Sequence, residues 1–430
     1  KDGYQDYYGY QATYKTYNYS FGGAQAAALA QNRIGNSRLE WESTTVTNFG
    51  VDAGFLNNRL TAELDVYNKV TDGILTTPNL HLTMGIKTPP TMNTAEVTNR
   101  GFELTVGWKD HVGDFNYAVS TNFSYNHNEV TKYLGKYEAG WVEKDGKKVW
   151  QSNIGDVSVD KDKGRIVEGH PIKEYYTLNT YSGNGTHFNS DGSVNINGGP
   201  KDGMIRTEGD MKWLNAMIDA GYKFMPNQSV GRNNIYYGDL IYADLNGDGI
   251  YGSSYDYDFQ GSSAMPKFGY GINISASWKN FDLSMLWAGN GGFKLYWEED
   301  PYNSVAIRNG FATSERVAND HYFYDPENPT DSRTNLNGYI PRLVENSKQS
   351  RQTSNYYLYN GTYMKLKNLT IGYTLPVTLT EKISAERVRV YLSGENLFTI
   401  TSFPGQDPEM GATTNYPSLR QFAAGISVTF

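Results

Sequence analysis

The chain has 430 residues, 20% of them charged, a formal net charge of −8 and a mean hydropathy of −0.60. Only 38% of the residues are apolar, yet 35 Tyr, 18 Phe and 8 Trp are among them, so hydrophobicity is concentrated in rings. The absence of Cys excludes a disulfide framework, a thiolate metal site and a Cys nucleophile, and the mild acidity offers no basic footprint for nucleic acid.

No run reaches 18 consecutive apolar residues, so a transmembrane helix is excluded. A β-barrel stays open, because it shows lipid only every second residue. Lys1 to Asp6 does not read as a signal peptide. Residues 1–41 read as a lead-in loop, and strands follow at roughly 42–55 and 59–76 across the short turn Leu56-Asn57-Asn58. In the second strand Leu60, Ala62, Leu64 and Val66 alternate with Thr61, Glu63, Asp65 and Tyr67. After a long connection at 78–95 come 96–109 and 114–132, joined by Asp110 to Asp114. Phe102, Leu104, Val106 and Trp108 mark one face of the first, and Phe115, Tyr117, Val119, Thr121 and Phe123 one face of the second. A very long connection, 133–265, leads to 266–278 and 281–290, which flank the turn Lys279-Asn280. The 291–360 connection precedes 362–376, and Pro376 to Ala385 turns the chain into 386–400. A connection at 401–417 leads to 418–430, where Phe422, Ala424, Ile426 and Val428 alternate with Gln421, Ala423, Gly425 and Ser427.

A sandwich with polar outer faces shares this alternation. Three features favour an all-β, antiparallel transmembrane barrel. The segments run to ten residues or more, aromatics stand at strand ends (Trp41, Trp108, Phe115, Trp278, Phe281), and very short connections alternate with very long ones. Short turns are then periplasmic and long loops extracellular. The organisation becomes an extracellular lead-in, 1–41; barrel strands, 42–132; a large extracellular loop region, 133–265; and barrel strands, 266–430, carrying the extracellular loop 291–360. Nine strands cannot close such a barrel, since open edges in lipid leave backbone groups unpaired. The remainder is expected elsewhere, in the same or another chain.

Asn36-Ser37-Arg38-Leu39-Glu40-Trp41-Glu42 with Asn48-Phe49-Gly50-Val51-Asp52 resembles the C-terminal barrel half of SusC/RagA-type TonB-dependent transporters. The same holds for Asn99-Arg100-Gly101-Phe102-Glu103-Leu104 and Asp244-Leu245-Asn246-Gly247-Asp248-Gly249. Tyr363 to Pro376, Arg389 to Phe398, and Asp407-Pro408-Glu409 complete the set. The resemblance implies a 22-stranded plugged barrel, of which this chain supplies about nine C-terminal strands. It also implies an N-terminal plug pulled by TonB, a SusD-like surface lipoprotein as lid, contact with membrane lipid, and no enzymatic activity. Gly425 to Phe430 resembles the outer-membrane assembly signal, which makes Phe430 the expected C-terminus.

Asp244, Asn246 and Asp248, with Gly249 and the carbonyl of Ile250, follow the opening order of an EF-hand-like Ca²⁺ loop. The twelfth position is Tyr255 rather than Glu, leaving Asp256 or Asp258 as substitutes, and an Asx-rich turn is the competing reading. Tyr236, Tyr237, Tyr296 and Trp297 are candidate substrate contacts, because rings with polar tips suit sugar faces and peptide backbones alike. Glu298-Glu299-Asp300 invites a glycosidase reading, but adjacent residues on extended chain point opposite ways. The six His (81, 111, 127, 170, 187 and 321) never fall at metal-ligand spacing, and nucleophilic catalysis has no support. Glu63, Asp65, Glu103, Asn122 and Asn273 are expected on the lumen wall. The function that follows is TonB-dependent import of a large ligand, an oligosaccharide ahead of an oligopeptide. The rivals are an adhesive barrel without transport and a secreted carbohydrate-active β-protein.

Overall fold

The computed structural model describes residues 10–77, 90–159, 162–297, 314–344, 348–412 and 416–430. Nine long strands form its principal sheet: β1 (Ser43–Phe55), β2 (Leu60–Thr76), β3 (Met92–Val112), β4 (Phe115–Lys132), β5 (Phe268–Trp278), β6 (Phe281–Gly291), β7 (Tyr363–Thr374), β8 (Arg387–Thr401) and β9 (Gln421–Thr429). Their order in the sheet follows their order in the chain, so each strand bonds its chain neighbours. This is the up-and-down arrangement expected from alternating polarity with short turns. Eight of the nine begin and end within three residues of the sequence expectation. The exception is β3, which starts earlier and ends later. Its start is fixed by side chains: Thr76 and Thr94 hydroxyls lie 2.6 Å apart, and Asn93 Nδ2 donates to the Glu40 and Gly73 carbonyls at 2.8 and 2.7 Å.

One correction concerns the lead-in, which is not loop throughout. Thr13–Phe21 and Ala24–Arg33 pair as an antiparallel hairpin. The turn is Gly22-Gly23 at φ 56° and 84°, two successive positive values that glycine adopts without strain.

The chain divides into two compact units. In the first, comprising 1–107, 122–139 and 152–174, β1 and β2 pair Phe49 with Val66, Val51 with Leu64 and Ala53 with Ala62 on one face. Asn48 faces Tyr67, Gly50 faces Asp65 and Asp52 faces Glu63 on the other, so Glu63 and Asp65 stand on the polar side as expected. Asn48 Nδ2 donates to Asp65 Oδ1 at 2.9 Å, and the Tyr67 hydroxyl to Asn126 Oδ1 at 3.1 Å.

The second unit comprises 108–121, 140–151 and 175–430. Across β5 to β9 the register builds apolar rows. Ile274, Met285, Leu369, Gly394 and Phe422 form one; Ala276, Leu283, Ile371, Leu392 and Ala424 the next; and Trp278, Phe281, Tyr373, Val390 and Ile426 the last, at the short-turn end. Leu392 is 65% exposed and Ile426 69%. Leaving such side chains in water forgoes about 1.5–3 kcal/mol each, which lipid contact restores. The rings of Phe281 and Tyr373 lie 4.7 Å apart in the last row, as an interfacial girdle requires. The opposite face carries Ser275, Ser284, Thr370 and Ser393 in one row and Ser277, Asp282, Gly372, Tyr391 and Gly425 in another. There Arg389 grips Asp282 with two bonds, Nε to Oδ1 at 2.9 Å and Nη2 to Oδ2 at 2.5 Å. The pair reaches across β7 at Gly372, where a Cβ would come within 2.4 Å of Arg389 Nη2 and 2.5 Å of Asp282 Oδ1. Glycine is needed there for space.

Outside the sheet, this unit has a hydrophobic core of its own. The helix Glu208–Asp219 is started by a reciprocal capping box between Thr207 and Asp210 and buries Trp213, Leu214 and Met217 against Met204, Ile205, Phe224, Leu240 and Tyr242. The connection from β8 to β9 is clamped to β7. Lys365, 2% exposed, reaches Asp407 Oδ2 at 2.6 Å and Glu409 Oε2 at 2.8 Å, Lys367 binds Glu409 as well, and Ser418 donates to Asp407 at 2.5 Å.

Two outcomes follow from these contacts. Leu392→Arg should cost about 2–4 kcal/mol in denaturant unfolding from lipid bilayers, while Ser393→Arg on the opposite face should cost far less. Burial pushes the Asp407 and Glu409 carboxyls up, but bonds from Lys365 outweigh it and leave both below their ordinary values. Their contribution is therefore complete above the unfolded carboxylate range, near pH 4, and is lost as pH falls below it. Amide exchange in residues 402–412, corrected for intrinsic rate, should accelerate over that window; Lys365→Met should produce the same acceleration at pH 7.

Candidate functional site

A concave site among the described residues lies in the second unit, outside the sheet. Arg232, Tyr236, Tyr237, His321, Phe323 and Arg342 are among the residues around a cavity of about 530 Å³. That volume is within the usual range for small-ligand sites. Two of the four substrate candidates, Tyr236 and Tyr237, thus share one pocket.

Local geometry explains how these side chains are presented. The bridge between Val230 and Ile235 closes a tight turn that carries Arg232, and the buried Ile235 anchors it in the core. His321 and Phe323 form bridges to Ile340 and Asn335, holding Tyr322 and Tyr324 in extended chain after the short helix Glu315–Asp320. The Tyr322 hydroxyl donates to the Arg206 carbonyl at 2.6 Å, and burial pushes its pKa well up, so it stays a neutral donor. Gly238, at φ 83°, lies so close to this ring that a Cβ would come within 2.4 Å of Tyr322 Cδ1. No side chain fits between them.

Rings and guanidinium groups alternate around the cavity. Tyr237 meets Tyr236 and Tyr324 edge-on, each at 5.1 Å. Arg342 lies over the Tyr236 ring at 5.4 Å, Arg232 over the same ring at 6.0 Å, and Arg333 over Phe323 at 4.6 Å. Every one of these arginines has a carboxylate. Arg342 Nη2 binds the fully buried Asp239 at 2.6 Å, and its guanidinium also donates to the Arg232 and Asn234 carbonyls at 3.0 Å. Arg232 pairs with Asp325 at 3.0 Å, and Arg333 holds Asp331 with two bonds of 3.0 and 2.7 Å. The Arg333 hydrogen bonds keep the Asp331 carboxyl down at about 2. Of these carboxylates Asp325 lines the cavity beside Arg232, whereas Asp239 is fully buried and Asp331 is outside the lining; each guanidinium is thus partnered, and the lining itself offers arginine donors, one carboxylate and aromatic faces.

The other two candidates lie elsewhere in the same unit. Tyr296 lines a smaller cavity of about 310 Å³ with Tyr175, Tyr363 and Glu409, and its ring packs on Tyr175 and Tyr357 at 6.4 and 5.9 Å. Trp297 is buried, edge-on to Tyr359 and Phe403 at 5.8 Å each, with Arg316 stacked on it. Packing accounts for its ring.

In the Asp244 loop the carboxylates are held by the loop's own amides. Asp244 accepts from Gly247, Asp248 and Gly249 at 2.7, 3.2 and 2.8 Å, Asp248 from Ile250 at 2.8 Å, and Asn246 donates to Asp248 at 3.1 Å. Asp256 turns toward the amides of Leu245 and Ser253, at 2.9 and 2.7 Å, and burial pushes its pKa up despite them. Gly247 and Gly249 take φ 73° and 80°, the geometry of an Asx-rich turn. Among the described residues no group of three or more His, Cys, Asp or Glu is arranged to hold a metal. Glu298, Glu299, Asp300 and His81 lie outside the described residues.

The arginines and the Tyr322-Phe323-Tyr324 run were missed in the sequence. The aromatic triplet beside His321 was a visible signal; the partnership between 230–239 and 321–344 was not, because about a hundred residues separate the segments.

A family profile described as "TonB dependent receptor-like, beta-barrel" matches residues 2–224. The chain is 26% identical over 425 residues to TonB-dependent receptor P3 of Formosa agariphila, covering 95% of this chain and 36% of that protein. It is 25% identical over 400 residues to TonB-dependent receptor SusC of Bacteroides thetaiotaomicron, covering 92% and 32%. Among solved structures, the RagAB peptide importer in its open-open state superposes with a TM-score of 0.65 at 22% identity, over 99% of this chain and 38% of that one, a likeness of fold. The chain thus spans about a third of the length of the curated relatives it matches, as a partial barrel must, and those relatives are receptors rather than enzymes. Profile, relatives and sheet agree: the chain belongs to the TonB-dependent receptor β-barrel family of the outer membrane, with SusC- and RagA-type receptors as its likeness.

Proposed function

We propose that this chain is the C-terminal part of the barrel of a TonB-dependent nutrient importer whose ligand is an oligosaccharide, captured on the extracellular side beneath a SusD-like lipoprotein lid. The short turns then face the periplasm, and the connections carrying the pocket face outward. The plug, the TonB-contacting segment and the other strands belong to the part of the importer that lies before this region.

The observation that carries the glycan reading is the composition of the 530 Å³ pocket. Hydroxyl groups both donate and accept, so a sugar ring is matched by guanidinium and carboxylate groups held side by side, and its C–H faces by aromatic rings. Because each arginine is already neutralised, an anionic group gains little there. Tyr236→Ala should weaken binding of the matching oligosaccharide about tenfold, read by titration calorimetry on the whole protein in detergent against a panel of glycans and oligopeptides. Binding of peptides alone would overturn the glycan assignment, and equal affinity in the variant would remove the pocket from the route.

For the Asp244 loop we propose Ca²⁺ as a stabilising ion, held by Asp244, Asn246, Asp248 and the Ile250 carbonyl. The donor order supports this, and each carboxylate keeps lone pairs beyond those the amides occupy. Bound there, the ion would brace the loop without taking part in chemistry. Chelator, or the double variant Asp244→Ala/Asp248→Ala, should speed proteolysis within 133–265; digestion indifferent to both leaves the Asx turn as the whole explanation.

A further inference from the structure

The turn between β7 and β8 has a feature that the transport reading does not use. Val377–Thr380 forms one helical turn and Glu381–Ile383 a 3-10 turn, ended by Ser384 at φ 54°. The segment is pinned at both ends. The Leu375 N–H donates to the Val388 carbonyl at 2.8 Å, the Ala385 N–H to the Thr380 carbonyl at 3.1 Å, and the Glu386 N–H to the Thr429 carbonyl at 2.8 Å. Thr380 and Ala385 are buried, whereas Val377, Leu379 and Ile383 are exposed. Leu379 lies in the helical turn and Ile383 in the 3-10 turn that follows it. Thr378, Glu381, Lys382 and Ser384 supply the polar remainder.

The exposed side belongs to the apolar band rather than to the lumen. Val388 alternates with Val390 and Leu392 on the lipid-facing side of β8, and pairs with Val428 as Val390 pairs with Ile426. Yet Val388 is 5% exposed, against 41% for Val390. The helical turn lies against β8, and we infer from the burial of Val388 that it bends outward over the end of the band. Tyr373, in the ring girdle with Phe281, lies four residues before Val377. An apolar surface continuous with a lipid-facing one, at the level of the girdle, meets the boundary between acyl chains and headgroups.

We propose that the β7–β8 turn is an interfacial anchor, with Leu379, Ile383 and Val377 inserted into the phospholipid surface at the short-turn end of the barrel. Charged Glu381 and Lys382 stay at headgroup level. The anchor fixes the depth of β7 and β8 in the bilayer, a task the flanking two-residue turn at Lys279-Asn280 has no apolar side chain to perform.

Because this chain lacks Cys, one introduced Cys is a unique spin-label site within it. Leu379→Cys and Ile383→Cys would be labelled in the whole protein, with other cysteines replaced, in phosphatidylethanolamine–phosphatidylglycerol vesicles. Power saturation then compares collision with oxygen, which partitions into lipid, and with a nickel chelate, which stays in water. Both sites should favour oxygen as the band control Leu392→Cys does, while Lys382→Cys favours nickel. If Leu392→Cys favours nickel too, the membrane assignment of the sheet itself has failed. If it favours oxygen but positions 379 and 383 favour nickel, or are shielded from both reagents by protein, the anchor is refuted.

Discussion

Backbone N–H and C=O groups have no water to bond in the hydrocarbon core, and everything else in this structure is arranged around that constraint. The nine strands meet it by pairing strictly with their chain neighbours, which needs only short turns at one end and leaves the other end free for insertions. The same constraint applies to the outer edges of β1 and β9, which require strands from the rest of the barrel. A chain covering about a third of its relatives is the natural consequence. Within the sheet the two faces then solve different problems. One carries Leu, Ile and rings for lipid, and the other carries Ser, Thr and the Arg389–Asp282 pair that crosses β7 at a glycine.

The long connections face the opposite difficulty. In water, chain of this length gains order only by burying apolar surface of its own. The core around Trp213, Leu214, Met217 and Tyr242 does this, and it draws Tyr322 from a connection far along the chain into the same cluster. That union, rather than any single loop, creates the aromatic pocket. Its arginines are placed by carboxylates and carbonyls, so their orientation is set before a ligand arrives. Such preorganisation lowers the ordering cost of binding. The Lys365 clamp serves a similar end at the β8–β9 connection, where a nearly buried ammonium between two carboxylates holds the chain against β7.

The balance of charge in the pocket bears on its chemistry more than the number of rings does. Tyrosine-rich loops suit many ligands, and two of the four rings singled out by their neighbourhood in the sequence, Tyr296 and Trp297, pack in other clusters. Tyr236 differs because two guanidinium groups lie over its ring while their charges are satisfied elsewhere. The β7–β8 turn shows the same logic at the lipid boundary, where an exposed apolar side chain acquires meaning from the face it continues.

The sequence by itself determined the strands, their faces and their turns, because a period of two is a local property: Leu60 to Tyr67 and Phe422 to Thr429 declare their alternation without reference to any partner. It also carried the helix Glu208–Asp219 in the Thr207–Asp210 capping box and the hairpin in Gly22-Gly23, signals that the dominant strand pattern overshadowed. Tertiary structure alone decided the pocket and the clamp. Arg342 meets Asp239, and Lys365 meets Asp407, across separations of 103 and 42 residues. No local periodicity encodes such meetings, since they depend on which surfaces a packed core brings together. The same reason applies to the turn after β7: its apolar residues were legible in the chain, but the side of the barrel proposed for them rests on the burial of Val388 in the neighbouring strand.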